Sequence, residues 1–198
     1  MTYVLGLTGG IATGKSTVSR FFQQKGIPLV DADRGAREVM QPGCSAYLKT
    51  VDQFGEEILN KDRTLNRKAL GAIVFSNKKK LDKLNAIVQA DIFEWILGQM
   101  HEHIAAGAPL VVLDIPLLYE AGYEEIVDGV MVVWTDKDCQ LKRLMNRDGL
   151  SREEAAGRIA AQAPLNEKIQ KADVLIDNNG TIDSTQRQVE SWLTENGY

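Results

Sequence analysis

Cysteine is scarce in this sequence: two residues, Cys44 and Cys139, among 198. They lie far apart with no C-x-x-C spacing, which excludes a disulfide-stapled scaffold and a zinc ribbon and suits reduced thiols in a cytoplasmic protein. Histidine is as rare, and both copies fall in "HEH" at 101–103. An H-E-x-x-H metal motif would need histidine at Ala105, and i,i+2 residues on a helix diverge, so no metal centre follows. No apolar run approaches the ~20 residues of a membrane span. No basic segment precedes the first apolar run to make a signal peptide, and the C-terminal "WLTENGY" carries no lipidation or retention signal. Basic charge is in deficit, with 23 Lys and Arg against 27 Asp and Glu for a net charge of -4. That balance argues against a general nucleic-acid binder. Long Pro/Gly/Ser linkers, repeats and low-complexity tracts are missing too, so the chain is expected to form one main domain with insertions.

What the sequence does contain is an ordinary globular balance, 44% hydrophobic and 25% charged, and one strong motif. "GGIATGKST" fits G-x-x-x-x-G-K-[ST], with Gly9, Gly14, Lys15 and Ser16 in the fixed positions. It follows the apolar run "YVLGLT" and opens the amphipathic segment "STVSRFFQQKG", whose Gly26 suits a helix C-terminus. Strand, glycine loop and helix in that order make an anion cradle from backbone N–H groups. The loop residues Gly9, Gly10, Ile11, Ala12, Thr13, Gly14, Lys15, Ser16 and Thr17 are therefore candidates for holding a nucleotide's phosphates. Lys15 is expected to reach the β- and γ-phosphates, and the Ser16 hydroxyl to ligate Mg²⁺.

Further short apolar runs read as buried parallel strands: 27–33, 109–116, 129–135 and 173–178, besides 3–8. Helical periodicity separates them, so the expected fold is α/β, a three-layer α/β/α sandwich around a five-stranded parallel sheet. Between Asp33 and Pro109 the pattern is helical throughout, far more chain than one crossover needs. We therefore expect a core from 1–33, 109–140 and 172–198, a helical insert at 34–108, and an arginine-bearing lid region at 141–171. In the last of these, "SREE" supplies a capping box, Ser151 with Glu154.

Four constellations carry candidate chemistry. "VDAD" ends the second apolar run, where ligands gather in open parallel sheets. Asp33 suits proton abstraction from an attacking hydroxyl and Asp31 the ordering of a metal shell, although Asp33 would also make a good helix N-cap. Asp114, at the end of "VVLD", stands where a magnesium-organising acid would, and Leu117 and Leu118 follow as apolar surface. Arg143 and Arg147 are spaced i,i+4 and suit base stacking or phosphate binding, or else a solvated face paired with Asp148, Glu153 and Glu154. Asn178, in "DNNG", could read a base edge or form a turn.

Together these segments resemble the dephospho-CoA kinase family almost end to end, in "GLTGGIATGKSTV", "DADRGAREV", "TLNRKALGAIVF", "LDIPLLYE", "QLKRLMNRDGLSREEAAGRIAAQ" and "ADVLIDNNG". The resemblance implies a P-loop fold of the nucleoside-monophosphate-kinase type, with a nucleotide core, a helical CoA-binding domain and a lid. It implies ATP and Mg²⁺ as requirements, dephospho-CoA as acceptor, and transfer to the ribose 3′-hydroxyl. By motif, Asp33 would be the base, with Lys15 and Arg147 assisting; Arg143 and Asn178 would meet ATP. Arg37, Arg67, Leu117 and Leu118 would meet the acceptor, and a monomer or weak homo-oligomer is expected. Two departures stand out: Ala12 replaces the family's usual glycine, and Gln89-Ala90 replaces a frequent His-Pro. The rival readings are a kinase for another nucleoside or nucleotide, and a GTP switch. The latter lacks an N-K-x-D guanine reader, and its D-x-x-G, "DQFG" at 52–55, falls in a helical stretch.

Overall fold

A computed structural model describes residues 1–198. Five valine- and leucine-rich segments form one sheet: β1 (Tyr3–Gly9), β2 (Leu29–Asp31), β3 (Leu110–Asp114), β4 (Gly129–Trp134) and β5 (Val174–Asp177), in the order β2-β3-β1-β4-β5. β1 pairs in parallel with β3 and β4, and β4 with β5. The register sets Leu7 beside Asp114 and Gly9 beside Val133. The chain therefore leaves β1 and β3 at one edge, which brings the glycine loop and the strand-end aspartate together. β3 is buried at every position, as expected of a strand covered on both faces.

The chain divides into two compact units, Met1–Val30 with Glu102–Tyr198, and Asp31–His101. In the first, α1 (Lys15–Gln24) and α9 (Ile182–Glu195) lay Val18, Phe22, Val189 and Leu193 on Leu5, Leu7, Val112, Met131 and Ile176 of the sheet. Each such side chain stabilises the fold by roughly 1.5–3 kcal/mol. Phe22, wholly buried, is the change that would cost most, about 3–5 kcal/mol on truncation to alanine. Gly26 lies just past α1 with φ 74, a conformation that glycine takes without strain.

The arginine-bearing segment folds as α6 (Lys137–Asp148), α7 (Arg152–Ala160) and α8 (Leu165–Gln170). Asp136 caps α6 by accepting from the Cys139 amide at 2.7 Å. Ser151 and Glu154 form the expected capping box on α7. Leu141, Leu144 and Ala155 close a small core between α6 and α7.

The second unit is helical: α2 (Ala32–Glu38), α3 (Ser45–Phe54), α4 (Arg67–Phe75) and α5 (Lys78–Ala105), the last running on into the first unit. Phe54, Ile58, Leu70 and Val74 form one apolar cluster, and Val39, Met40 and Ala46 another, against Ile92 and Trp95. Gly35 is required here, because a Cβ would sit 2.6 Å from the Trp95 ring. α5 runs unbroken for 28 residues, Gln89 and Ala90 included. A proline in its interior would delete an N–H and clash with the preceding turn.

The second strand is shorter than the 27–33 expected. Asp31 turns its carboxylate onto the amides of Asp33 and Arg34, at 2.8 and 3.3 Å, so a helix begins at Ala32. The cap is therefore Asp31 rather than Asp33, and the two aspartates do not share one side of an extended strand.

Candidate active site

The glycine loop is shaped by close approaches. A Cβ on Gly9 would lie 2.7 Å from the Val133 carbonyl, and one on Gly14 1.9 Å from the Asn178 amide nitrogen. Gly14 has φ 94 and Ala12 φ 58. For alanine the left-handed region costs roughly 1–2 kcal/mol, so something must hold Ala12 there.

Every buried backbone group needs a partner, and several of the loop's groups find one within the protein. The Thr13 amide and hydroxyl both donate to the Gly10 carbonyl, at 3.2 and 2.9 Å. Ile11 donates its amide to Gln162 Oε1 and accepts from Gln140 Nε2 at its carbonyl, each at 2.8 Å. Asn178 Nδ2 donates to the Thr13 carbonyl at 2.7 Å, and the Thr17 amide bonds to Gly14. The amides of Ala12, Gly14, Lys15 and Ser16 have no protein acceptor. Four free donors at the positive end of α1 make a built anion site.

Lys15 is paired with Asp114, whose other oxygen accepts the Ser19 hydroxyl at 2.6 Å. Asp114 is 6% exposed, so its charge is stabilised by partners rather than by water. Ser16 is exposed. No cluster of three or more histidine, cysteine or acidic groups could hold a metal ion by itself. A hydroxyl and one carboxylate are instead the hard-oxygen set that suits Mg²⁺ bound mainly by water and substrate phosphates.

Of the α6 arginines, Arg143 lies near the loop, with Nη1 3.7 Å from where a Gly14 Cβ would stand. That nitrogen is buried and has no hydrogen-bond partner. A buried donor left unmatched costs free energy, so the position fits an acceptor or π-face supplied by a ligand. Arg147 turns elsewhere: it donates to both oxygens of Asp148, at 2.8 and 3.1 Å, and Arg158 joins at 2.9 Å. The hydrogen bond from Arg147 holds the Asp148 carboxyl below its ordinary range, and the same bond raises Arg147. Asn178 is buried, and its Oδ1 accepts from Thr185 at 2.7 Å. Both ends of its amide are thus bonded within the protein, where they brace the loop.

Leu118 is a correction. It is wholly buried, with Cδ1 2.6 Å from where a Gly6 Cβ would stand, so it fills the core and offers no surface to a substrate. Leu117 is 47% exposed. The segment is anchored by Lys168, buried on α8, which donates to the Pro116 carbonyl at 3.0 Å and pairs with Glu120 at 2.9 Å. Thr8 donates to the same carbonyl at 3.0 Å.

In the helical unit, Asp33 lies in the first turn of α2, exposed, with no partner for its carboxylate. Arg37 lies in the last turn of α2 and Arg67 opens α4, both exposed. Sequence reasoning missed Gln140, Gln162, Ser19 and Lys168. Only Ser19 left a signal, falling one helical turn beyond Lys15 and so on the same face.

Free loop amides, a lysine against a strand-end carboxylate and a parallel sheet ordered 2-3-1-4-5 define a P-loop phosphotransferase. A shikimate kinase from Aquifex aeolicus shares the fold at TM-score 0.52 and 18% identity, covering 98% of each chain. The family model described as dephospho-CoA kinase matches residues 3–184, and the chain belongs to that family of ATP-dependent kinases. It is 50% identical to the dephospho-CoA kinase of Carboxydothermus hydrogenoformans over 94% of this chain and 90% of that one. Identity to the Arabidopsis thaliana dephospho-CoA kinase is 47%, covering 97% and 83%. The dephospho-CoA kinase structure from Campylobacter jejuni superposes with TM-score 0.77 at 32% identity, covering 98% and 97%.

Proposed function

We propose that the chain transfers the γ-phosphoryl group of ATP, with Mg²⁺, to the ribose 3′-hydroxyl of dephospho-CoA, releasing coenzyme A and ADP. The observation that carries this reading is the set of four unpartnered amides beside the Lys15–Asp114 pair, in a chain of this family. Those amides and Lys15 hold the triphosphate, so Lys15 exchanges Asp114 for phosphate oxygens. The unmatched nitrogen of Arg143 meets the nucleotide. Ser16 and Asp114 are the oxygen donors for Mg²⁺, which when bound neutralises charge on the phosphate oxygens. Asp31 fixes the start of α2, and Asp33 accepts the proton of the attacking 3′-hydroxyl as the new O–P bond forms and the bond to ADP breaks. Positioning and charge stabilisation supply nearly all of the catalysis in such a transfer.

In this reading, residues 34–108 bind the acceptor, with Arg37 and Arg67 as contacts, and Leu117, beyond that segment, is a further contact. The 141–171 region acts as a lid whose arginines exclude water from the phosphates. No helix is long and apolar enough to cross a membrane; the enzyme is proposed to work in the cytoplasm as a monomer or weak homo-oligomer.

The test is incubation with ATP, MgCl₂ and dephospho-CoA, followed by mass spectrometry of the product and digestion with a 3′-specific nucleotidase. A 3′-phosphorylated product is expected. Phosphorylation of a nucleoside or nucleotide from a parallel panel, with dephospho-CoA untouched, would refute the acceptor.

A further inference from the structure

The residue ahead of Ala12 is held at both its amide and its carbonyl. Gln140, 4% exposed on α6, donates Nε2 to the Ile11 carbonyl at 2.8 Å, and Gln162, just past α7, accepts the Ile11 amide at 2.8 Å. The next residue is Ala12 at φ 58, which carries the first of the loop's four free amides, those of Gly14, Lys15 and Ser16 being the others. A non-glycine residue keeps a sparsely populated conformation only where its surroundings over-determine it. No other side chain bonds the Ile11 backbone. Gly10, just before it, and both glutamines line a cavity of about 570 Å³, so open space adjoins the clamp.

We propose that Gln140 and Gln162 are positioning residues for nucleotide binding: together they clamp Ile11 so that Ala12 stays left-handed and its amide points with those of Gly14, Lys15 and Ser16. The clamp performs in this chain what glycine at position 12 would do without help. It also ties the segment after α7 to the phosphate loop, so the lid region and the nucleotide site are mechanically joined. The proposal rests on the reading of the loop as an ATP site, and it makes no use of the acceptor.

The test is a double-mutant cycle on the full chain, read by direct titration of ATP with MgCl₂ into protein. Gln162→Met keeps the side chain's length but removes the acceptor, and being half-buried at a helix end it is the milder of the two changes. In the Ala12 background it should weaken ATP binding about five- to tenfold, the factor set by the left-handed penalty. In the Ala12→Gly background the same change should weaken binding by about twofold or less, since glycine needs no clamp. Gln140→Met should behave alike, and thermal melts keep loss of fold separate from loss of affinity. Equal weakening in both backgrounds would overturn the clamp and leave the ATP site standing. Failure of the unmodified chain to bind ATP would overturn both.

Discussion

Lys15 and Asp114, 99 residues apart in sequence, meet as an ion pair at the carboxyl edge of the sheet, with Ser19 bonded to the second carboxylate oxygen at 2.6 Å. The lysine that is proposed to grip phosphate and the acid proposed to organise Mg²⁺ thus hold each other. The pair keeps a buried carboxylate compensated and keeps the lysine at the loop until phosphate displaces it. Asp114→Asn removes one charge of a partly buried pair. It should lower transfer by at least about a hundredfold, in the range of lost electrostatic stabilisation at a reacting phosphate. It should also destabilise the fold, by less than the roughly 3–5 kcal/mol of a fully buried pair. A coupled kinase assay and urea unfolding check the two effects separately.

Ala12 carries a strain that glycine would not. Left-handed alanine costs roughly 1–2 kcal/mol, partly offset by the lower chain entropy of alanine when unfolded. Ala12→Gly should therefore stabilise the chain by about 0.5–1 kcal/mol, a rise in Tm of about 2 °C for this size. Differential scanning calorimetry resolves a shift of that order.

The five strands were legible because apolar runs bounded by glycine, proline or acid are a local signal, and so was the loop, whose residues are contiguous. The end of β2 was not, because one carboxylate decides it: Asp31 takes the Asp33 amide and starts a helix. Leu118 read as crevice surface since hydrophobicity does not tell which neighbour lacks a side chain; Gly6 opposite makes the hole it fills. Arg147 offered two readings, and the aspartate next in sequence claims its guanidinium. Gln140 and Gln162 were invisible, as an amide's partner across 129 or 151 residues leaves no periodicity in sequence.

Lys168 is buried and bonded to both the Pro116 carbonyl and Glu120. Lys168→Met leaves the Glu120 carboxylate without its cation and the Pro116 carbonyl with Thr8 as its remaining donor, at a cost of about 2–3 kcal/mol. The Tm should fall by about 4–10 °C. Lys168→Arg should recover part of this, because a guanidinium can still donate to both acceptors.

Asp148 links stability to pH. The Arg147 hydrogen bond, then the charges of Arg147 and Arg158, hold its carboxyl below the unfolded value. A depressed carboxyl contributes stability that is present above the unfolded pKa, near 4, and lost as pH falls through the folded one. Urea midpoints of the unmodified chain and Asp148→Asn should differ at neutral pH and converge in acid. The gap should shrink in about 0.5 M salt, because the pair is solvent-exposed. A gap that persists in acid would show that Asp148 acts through packing.

Asp31 and Asp33 separate fold from chemistry. Asp31 spends its carboxylate on the first turn of α2, while the carboxylate of Asp33 makes no bond within the protein. Asp31→Ala should cost about 1 kcal/mol of stability as a lost N-cap. Asp33→Asn deletes no bond of the fold, so its melting curve should match that of the unmodified chain. Its transfer rate should fall by about 10²–10⁴, the span for losing a general base, with ATP affinity held within about twofold. Steady-state assays with dephospho-CoA as acceptor, beside ATP titration of the same preparation, read both quantities. Turnover retained in Asp33→Asn would remove Asp33 from the chemistry and leave the phosphate loop unaffected.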